Sequence, residues 1–227
     1  MKKNGHKEMR KERIPIELIK LISEEEIMMF KELQIKIREL NKKSNLTRLI
    51  EEDDYWISQV YDSIWPFKIP PNINLDNKKF LDIGSGCGFP GLAYALTHPS
   101  SEIYLIDSSK KKTDALKNVV KTINFRNNIY VINDRIECLA HQSSFRNSFD
   151  IATTRAVSNP LTVSEYILPM LHRKGLGILY CGKWNNEENK RLEKTLEILE
   201  GKLITSEKIF LPKNKGIRNI IFIQPKN

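Results

Sequence analysis

The chain has 227 residues, enough for one α/β domain with an appendage and short for two full domains. Apolar residues make up 40% of it, enough for a core, and no apolar run is long enough to cross a bilayer, so no membrane association is expected. Lysine and arginine exceed the acids by 37 to 28, a net charge of +9 that favours a polyanionic partner such as nucleic acid.

Residues 1–13 are rich in lysine and arginine and read as a mobile basic tail. They contain no apolar run followed by a small-residue cleavage site, so a secretory leader is not expected and a cytoplasmic location is. Ser23 and Glu26 have the spacing of a capping box at a helix start. Ile27, Phe30, Leu33, Ile37 and Leu40 then recur at the intervals of one helical stripe, which Asn41–Asn45 interrupts. A second helix is expected from about Asp53 to Ile64, presenting Trp56, Val60 and Ile64. Pro66, Pro70 and Pro71, with Asn72, Asn74 and Asn77, read as a linker.

Beyond Lys78 short apolar runs alternate with helical patterns. Strands are expected over 80–83, 102–106, 129–132, 149–152 and 176–181, and helices over 90–96, 110–123, 161–171 and 187–199. The closing runs 203–210 and 217–223 flank a turn at 212–216 and read as a hairpin. Such alternation implies an α/β fold with a mostly parallel sheet, to which the hairpin adds an antiparallel edge. The chain thus divides into a basic tail and lead-in (1–22), an N-terminal helical segment and linker (23–76) and an α/β domain (77–227).

The densest motif is Phe80–Gly91, FLDIGSGCGFPG, which holds four of the ten glycines. In a doubly wound sheet the first strand-to-helix turn lies where ligands bind. Gly84, Ser85, Gly86 and Gly88 are expected to shape a cradle there, with Pro90 in the first turn of the next helix and Gly91 allowing close helix–strand packing. Residues 86–91 also satisfy the dinucleotide pattern G-x-G-x-x-G, and Asp107 falls where a ribose-binding acid would, so a nicotinamide-dependent reductase is a rival reading. Against it, bulky Phe89 interrupts the approach of a phosphate, and Asp82 ends the strand two residues before the first glycine. A ligand without phosphates fits better. S-adenosylmethionine would use Asp82 near its amino-acid end and Asp107 at its ribose hydroxyls.

The stretches LDIGSGCGFPG, LIDSSKKKTDALK, NDRIE, TTRAVS and the strand end Tyr180–Lys183, together with Asn45-Leu46-Thr47 and Asp62-Ser63-Ile64, resemble the bacterial 16S ribosomal RNA guanine-N7 methyltransferases, also called glucose-inhibited division protein B. The resemblance runs from about residue 24 to the end. It implies a class I, Rossmann-like methyltransferase that uses S-adenosylmethionine and modifies N7 of a guanine in the decoding-region loop of 16S RNA, free or in the small subunit. It further implies cofactor contacts from Gly84 and Phe89, an adenine pocket lined by Ile136 and Glu137, and Arg155 at the join of cofactor and substrate. Arg135, Lys183 and Arg218 match further basic positions suited to RNA. Gln59 departs from the family pattern, since many relatives carry a histidine there.

The residues suit that chemistry. Guanine N7 offers an in-plane lone pair and no proton to lose, so alignment matters more than a general base. Amino methylation of adenine favours an N/D-P-P-Y/F stretch, where this chain has Thr153-Thr154-Arg155-Ala156. Pyrimidine methylation at C5 requires an activated cysteine, and Cys138 and Cys181 lack the usual neighbouring proline and read as buried thiols. Cys87, Cys138 and Cys181 are too scattered for a disulfide framework or a metal site. One arginine of the basic edge is expected to hold guanine O6 while the others grip phosphates. Trp56 fits the core, and Trp65 and Trp184 could stack on bases. The chain is expected to act as a monomer. A small-molecule methyltransferase and a non-catalytic ribosome assembly factor stay open as alternatives.

Overall fold

The computed structural model describes residues 14–68, 74–155 and 159–226. The basic tail of residues 1–13, Pro70, Pro71 and Asn72 of the linker, and Ala156 of the R-A-V motif lie outside the described residues.

Among the described residues seven strands share one sheet: β1 (Lys79–Ile83), β2 (Glu102–Ile106), β3 (Ile129–Ile132), β4 (Phe149–Arg155), β5 (Leu171–Cys181), β6 (Gly201–Phe210) and β7 (Ile217–Pro225), in the order β3-β2-β1-β4-β5-β7-β6. The first five run parallel, and β7 is antiparallel to both β5 and β6. The expected parallel sheet with an antiparallel terminal hairpin is therefore what forms. The chain walks outward from β1 to β3, then returns to place β4 on the other side of β1. That reversal opens a crevice beyond the carboxyl ends of β1 and β4.

Both faces of the sheet are covered, as near-continuous apolar strands require. On one face Phe80, Ile103 and Ile178 pack with Leu92 and Tyr94 of α5 (Gly91–Thr97) and Leu116 of α6 (Lys110–Thr122). On the other, Leu81, Ile83 and Leu179 meet Val163 and Ile167 of α8 (Pro160–Ile167) and Leu192 and Leu196 of α9 (Asn186–Ile198).

The N-terminal helices share the first of these cores. Ser23 and Glu26 close a reciprocal capping box at the start of α2 (Glu24–Ser44), and Asn45 in a left-handed conformation ends it. The expected stripe Phe30, Leu33 and Ile37 is buried against the sheet domain. A short helix α1 (Ile16–Ile19), with Leu18 buried, precedes it; four residues are too few to register a period in the sequence.

The second expected helix is not uniform. α3 (Glu52–Tyr55) passes into a π-helical turn, Trp56–Tyr61, then α4 (Asp62–Ile64) and a 3-10 turn, Trp65–Lys68. Trp56, Val60 and Ile64 are buried as expected, but so are Gln59, Asp62 and Ser63. The wider π turn brings polar side chains to an inner face that α-helical spacing assigns to apolar ones.

Two further differences concern element ends. The helix expected over 161–171 stops at Ile167, where Pro169 enters a 3-10 turn, and Leu171 already belongs to β5. His172–Gly175, to which no element was assigned, lies within that strand, and at Gly175 a Cβ would strike the carbonyl oxygen of Phe149. The one-turn helix α7 (Ile136–Leu139) follows β3 where no element was expected.

Candidate functional site

The site is built from the ends of the parallel strands. After β1 the backbone turns back over the sheet, and the N–H groups of Gly84 and Ser85 both donate to the Ile106 carbonyl at 2.8 and 2.9 Å. Gly84 and Gly86 adopt φ of 72° and 56°, a region that side chains with a Cβ rarely enter.

Two carboxylates fix this loop from opposite sides. Asp82 is wholly buried beneath it. Its Oδ2 accepts from the N–H of Gly91 at 3.1 Å and its Oδ1 from the Thr153 hydroxyl at 2.9 Å. Burial pushes its pKa up to about 6, and the Thr153 and Gly91 bonds oppose that only in part. With both oxygens engaged inside the fold, Asp82 clamps the start of α5 to β4 and does not line a cleft, unlike the cofactor contact expected of it. Gly91 is the close approach that sequence reading assigned to it: a Cβ there would collide with Leu105 and Asp82. Gly88 also faces inward, where a Cβ would meet Leu92 and Leu116. Pro90 caps α5 from outside its first turn. Asp107, at the end of β2, is the second clamp. Its Oδ2 accepts from the Gly86 N–H at 2.9 Å and its Oδ1 from the Ser109 N–H at 2.8 Å.

Gly84 lies at the junction of two clefts. The first, of about 300 Å³, is lined by Gly84, Asp107, Ser108, Arg135, Ile136 and Glu137, with Ile83 and Ile106 as its apolar floor. The second, of about 380 Å³, is lined by Gly84, Ser85, Gly86, Phe89, Arg155, Tyr180 and Arg218, together with Thr47 from the connection after α2 and Gln59 and Asp62 from the helical turns beyond it. Lys112 borders both, its Nζ 4.0 Å from Asp107 Oδ2. Ten of the expected residues thus meet at one end of the sheet; Asp82 and Gly88 support it from behind. Lys183, exposed just beyond β5, borders neither cleft but follows Gly182, which lines the second.

The second cleft is organised by an acid. Asp62, whose side chain is 1% exposed, pairs with Arg218 Nε at 2.6 Å and with Arg155 at 3.4 Å. Arg155 also donates to the Ser58 carbonyl at 3.2 Å and to Gln59 Oε1. The Gln59 amide nitrogen donates in turn to Thr47 Oγ1 at 3.1 Å and to Cys87 Sγ at 3.2 Å. Gln59 therefore links the N-terminal helices, the glycine loop and Arg155. Tyr180 completes the join, donating to the Ser63 carbonyl at 2.9 Å. Arg155 and Arg218 are thus held in a network. The free phosphate grip expected of Arg218 does not fit its tie to Asp62, whereas Arg135 and Lys183 are exposed.

Sequence reading missed Asp62, Gln59 and Lys112 as site members. Asp62 and Lys112 lay in the stretches Asp62–Ile64 and Leu105–Lys117 and Gln59 was noted only as a departure from the family histidine, and a buried acid paired across 93 and 156 residues leaves no local pattern. The thiols also differ from expectation. Cys181 is buried, which pushes its thiol up to about 12, but Cys138 on α7 is exposed. A maleimide should label Cys138 in the native protein at least about tenfold faster than Cys181, because the thiolate reacts and the buried thiol has little of it. Equal rates, read by mass spectrometry, would show that the β5 edge opens. Trp56 and Trp65 are core residues, and Trp184 donates its indole N–H to Asn189.

A family model described as rRNA small subunit methyltransferase G matches residues 26–216. The chain is 76% identical over 219 residues to the ribosomal RNA small subunit methyltransferase G of Prochlorococcus marinus strain MIT 9312, covering 96% of this chain and 92% of that one. It is 42% identical over 205 residues to the protein of the same name from strain NATL1A, covering 90% and 83%. Among solved structures, a SAM dependent methyltransferase from Aquifex aeolicus superposes with a TM-score of 0.54 at 15% identity, over 84% of this chain and 98% of that one. That likeness carries the fold. Among the described residues no helix is long and apolar enough to cross a membrane.

Proposed function

The chain belongs to the rRNA small subunit methyltransferase G family and is a ribosomal RNA methyltransferase, and from that premise we propose that it moves a methyl group from S-adenosylmethionine to N7 of a guanine in the decoding-region loop of 16S RNA. The observation that carries this reading is the pair of clefts joined at Gly84, one with Asp107 and Glu137 over an apolar floor and one holding Arg155 and Arg218.

The first cleft suits the cofactor. Asp107 presents a carboxylate to ribose hydroxyls, Ile136 offers an apolar surface to an adenine ring, and Glu137 can accept from its amino group. Gly84 lets the backbone approach closely. Asp82 acts through the loop it clamps and is a positioning residue.

The second cleft suits the base. S-adenosylmethionine supplies, when bound, a sulfonium methyl that the in-plane lone pair of guanine N7 displaces directly, with no proton removed beforehand. The chain's task is alignment, where orientation can contribute up to about 7–11 kcal/mol. Arg155, in the second cleft, has a guanidinium that can meet guanine O6. Arg135, exposed at the first cleft, and Lys183, exposed beyond β5, would grip phosphates, and Phe89 packs edge-on against Tyr55 between loop and helices.

The test is methyl transfer from labelled S-adenosylmethionine to small ribosomal subunits, and to free 16S RNA, from cells lacking this protein. Label is expected in 7-methylguanosine. Label in another nucleoside would overturn the assignment of the atom, and no label on either substrate would overturn the assigned reaction.

A further inference from the structure

Gly84 and Lys112 line both clefts, and because glycine has no side chain, Lys112 supplies the one side chain, among the described residues, that reaches both. Local stability does not account for a lysine there. Lys110, Lys111 and Lys112 fill the first turn of α6, which holds no acid. A helix dipole favours acids in that turn and disfavours cations. Lys110 is offset by Asp114, its Nζ 2.9 Å from Oδ2. Lys112 is tied, among the described residues, to Asp107 alone, at 4.0 Å and with its side chain 45% exposed. At that length the contact is one of charge without a hydrogen bond, so it is weak and readily exchanged.

Asp107 has room for another partner. Each of its oxygens accepts one backbone N–H, from Gly86 and from Ser109. A carboxylate has about four acceptor sites, so about two stay open. Ribose hydroxyls in the first cleft would take those sites and compete with the Lys112 ammonium for the same oxygens. In the second cleft, Arg155 and Arg218 share the Asp62 carboxylate. Lys112 is the cation of that cleft that no acid of the cleft holds. Its four-carbon stem is flexible, and its ammonium is a point charge suited to a phosphate.

We propose that Lys112 exchanges between Asp107 and an RNA phosphate, so that cofactor bound in the first cleft raises affinity for RNA at the second. This rests on the reading that S-adenosylmethionine takes the first cleft and RNA the second. The coupling arises because Lys112 has two positions and both ligands favour the same one. RNA must then tighten cofactor binding by the same factor. An exposed ion contact sets that factor at about fivefold or less.

The test measures binding of small subunits and of free 16S RNA, from cells lacking this protein, to wild type, Lys112→Met and Lys112→Arg. Each is measured with and without saturating S-adenosylhomocysteine, which carries the ribose but no methyl group to transfer. Wild type should bind RNA up to about fivefold tighter with that ligand than without it. Lys112→Met should lose this gain and bind RNA equally in both conditions. It should take up S-adenosylhomocysteine alone at least as tightly as wild type. With the ligand bound, the slope of log affinity against log salt should be shallower in Lys112→Met by about 0.7–0.9, the share of one phosphate contact. Lys112→Arg should keep the coupling. Equal RNA affinity of wild type in the two conditions overturns the exchange. A loss in Lys112→Met that is the same with and without ligand makes Lys112 a fixed RNA contact and overturns it too. So does weakened uptake of S-adenosylhomocysteine alone, which assigns Lys112 to the first cleft. Methyl label placed elsewhere than N7 counts against the assigned atom, and the binding comparisons still decide the exchange.

Discussion

The Asp62→Ala variant is expected to lose about 3–5 kcal/mol of stability, because it leaves two guanidinium groups buried together without their shared anion. The side chains of Arg155 and Arg218 are 15% and 24% exposed, too little for water to replace what Asp62 supplies. Without it the two cations repel each other, and the ties from α4 to the end of β4 and the start of β7 are lost. Chemical denaturation of wild type and variant in the same buffer measures the loss. Transfer should fall with it, since Arg155 then keeps Ser58, Gln59 and Ser63 but no ionic partner. Asp62→Asn keeps the shape and one acceptor oxygen, and should recover part of the stability. A loss below about 1 kcal/mol in Asp62→Ala would mean that the pairs behave as surface ion pairs do.

The sheet was legible in the sequence because its strands are short apolar runs closed by polar turns, and β2 and β3 fall where those runs predict them. The glycine loop was legible because chemistry and local sequence coincide there. Legibility ended where burial and composition part company. His172–Gly175 is polar yet extended within β5, where the register with β4 jumps from Phe149–Leu171 to Ile151–Leu176, an irregularity that a single strand's sequence does not announce. Gln59 and Asp62 are polar yet buried, because a π turn redirects them onto Arg155 and Arg218 from distant strands. Asp82 shows a third kind of limit. Its place at a strand end suggested a ligand contact, but alternation along β1 sends its side chain into the fold, onto Thr153 and Gly91, while Ile83 faces the cleft. The side a residue takes at a strand end depends on register, which no single strand discloses.

Arg155→Ala should lower methyl transfer about a hundredfold while the fold persists, and the contrast with Asp62→Ala is what identifies its role. When Arg155 is removed, Asp62 keeps the Arg218 Nε at 2.6 Å, so the buried carboxylate still has a counter-ion. Gln59 keeps Thr47 and Cys87 as partners. The structural cost is then about that of ordinary lost hydrogen bonds, roughly 1–3 kcal/mol. The catalytic cost is larger. A guanidinium has five donors; those that meet Ser58, Asp62 and Gln59 fix its plane, and the remainder can meet a base edge in the cleft that Arg155 lines. A base held without that fork loses its alignment for in-line attack, and a misplacement of about 1 Å costs on the order of a hundredfold. Arg155→Lys should not recover the rate, because an ammonium cannot occupy both sides of the fork. Single-turnover transfer with saturating RNA and cofactor isolates this effect from binding. A rate within about twofold of wild type would remove Arg155 from the site, and a stability loss matching that of Asp62→Ala would make its part structural.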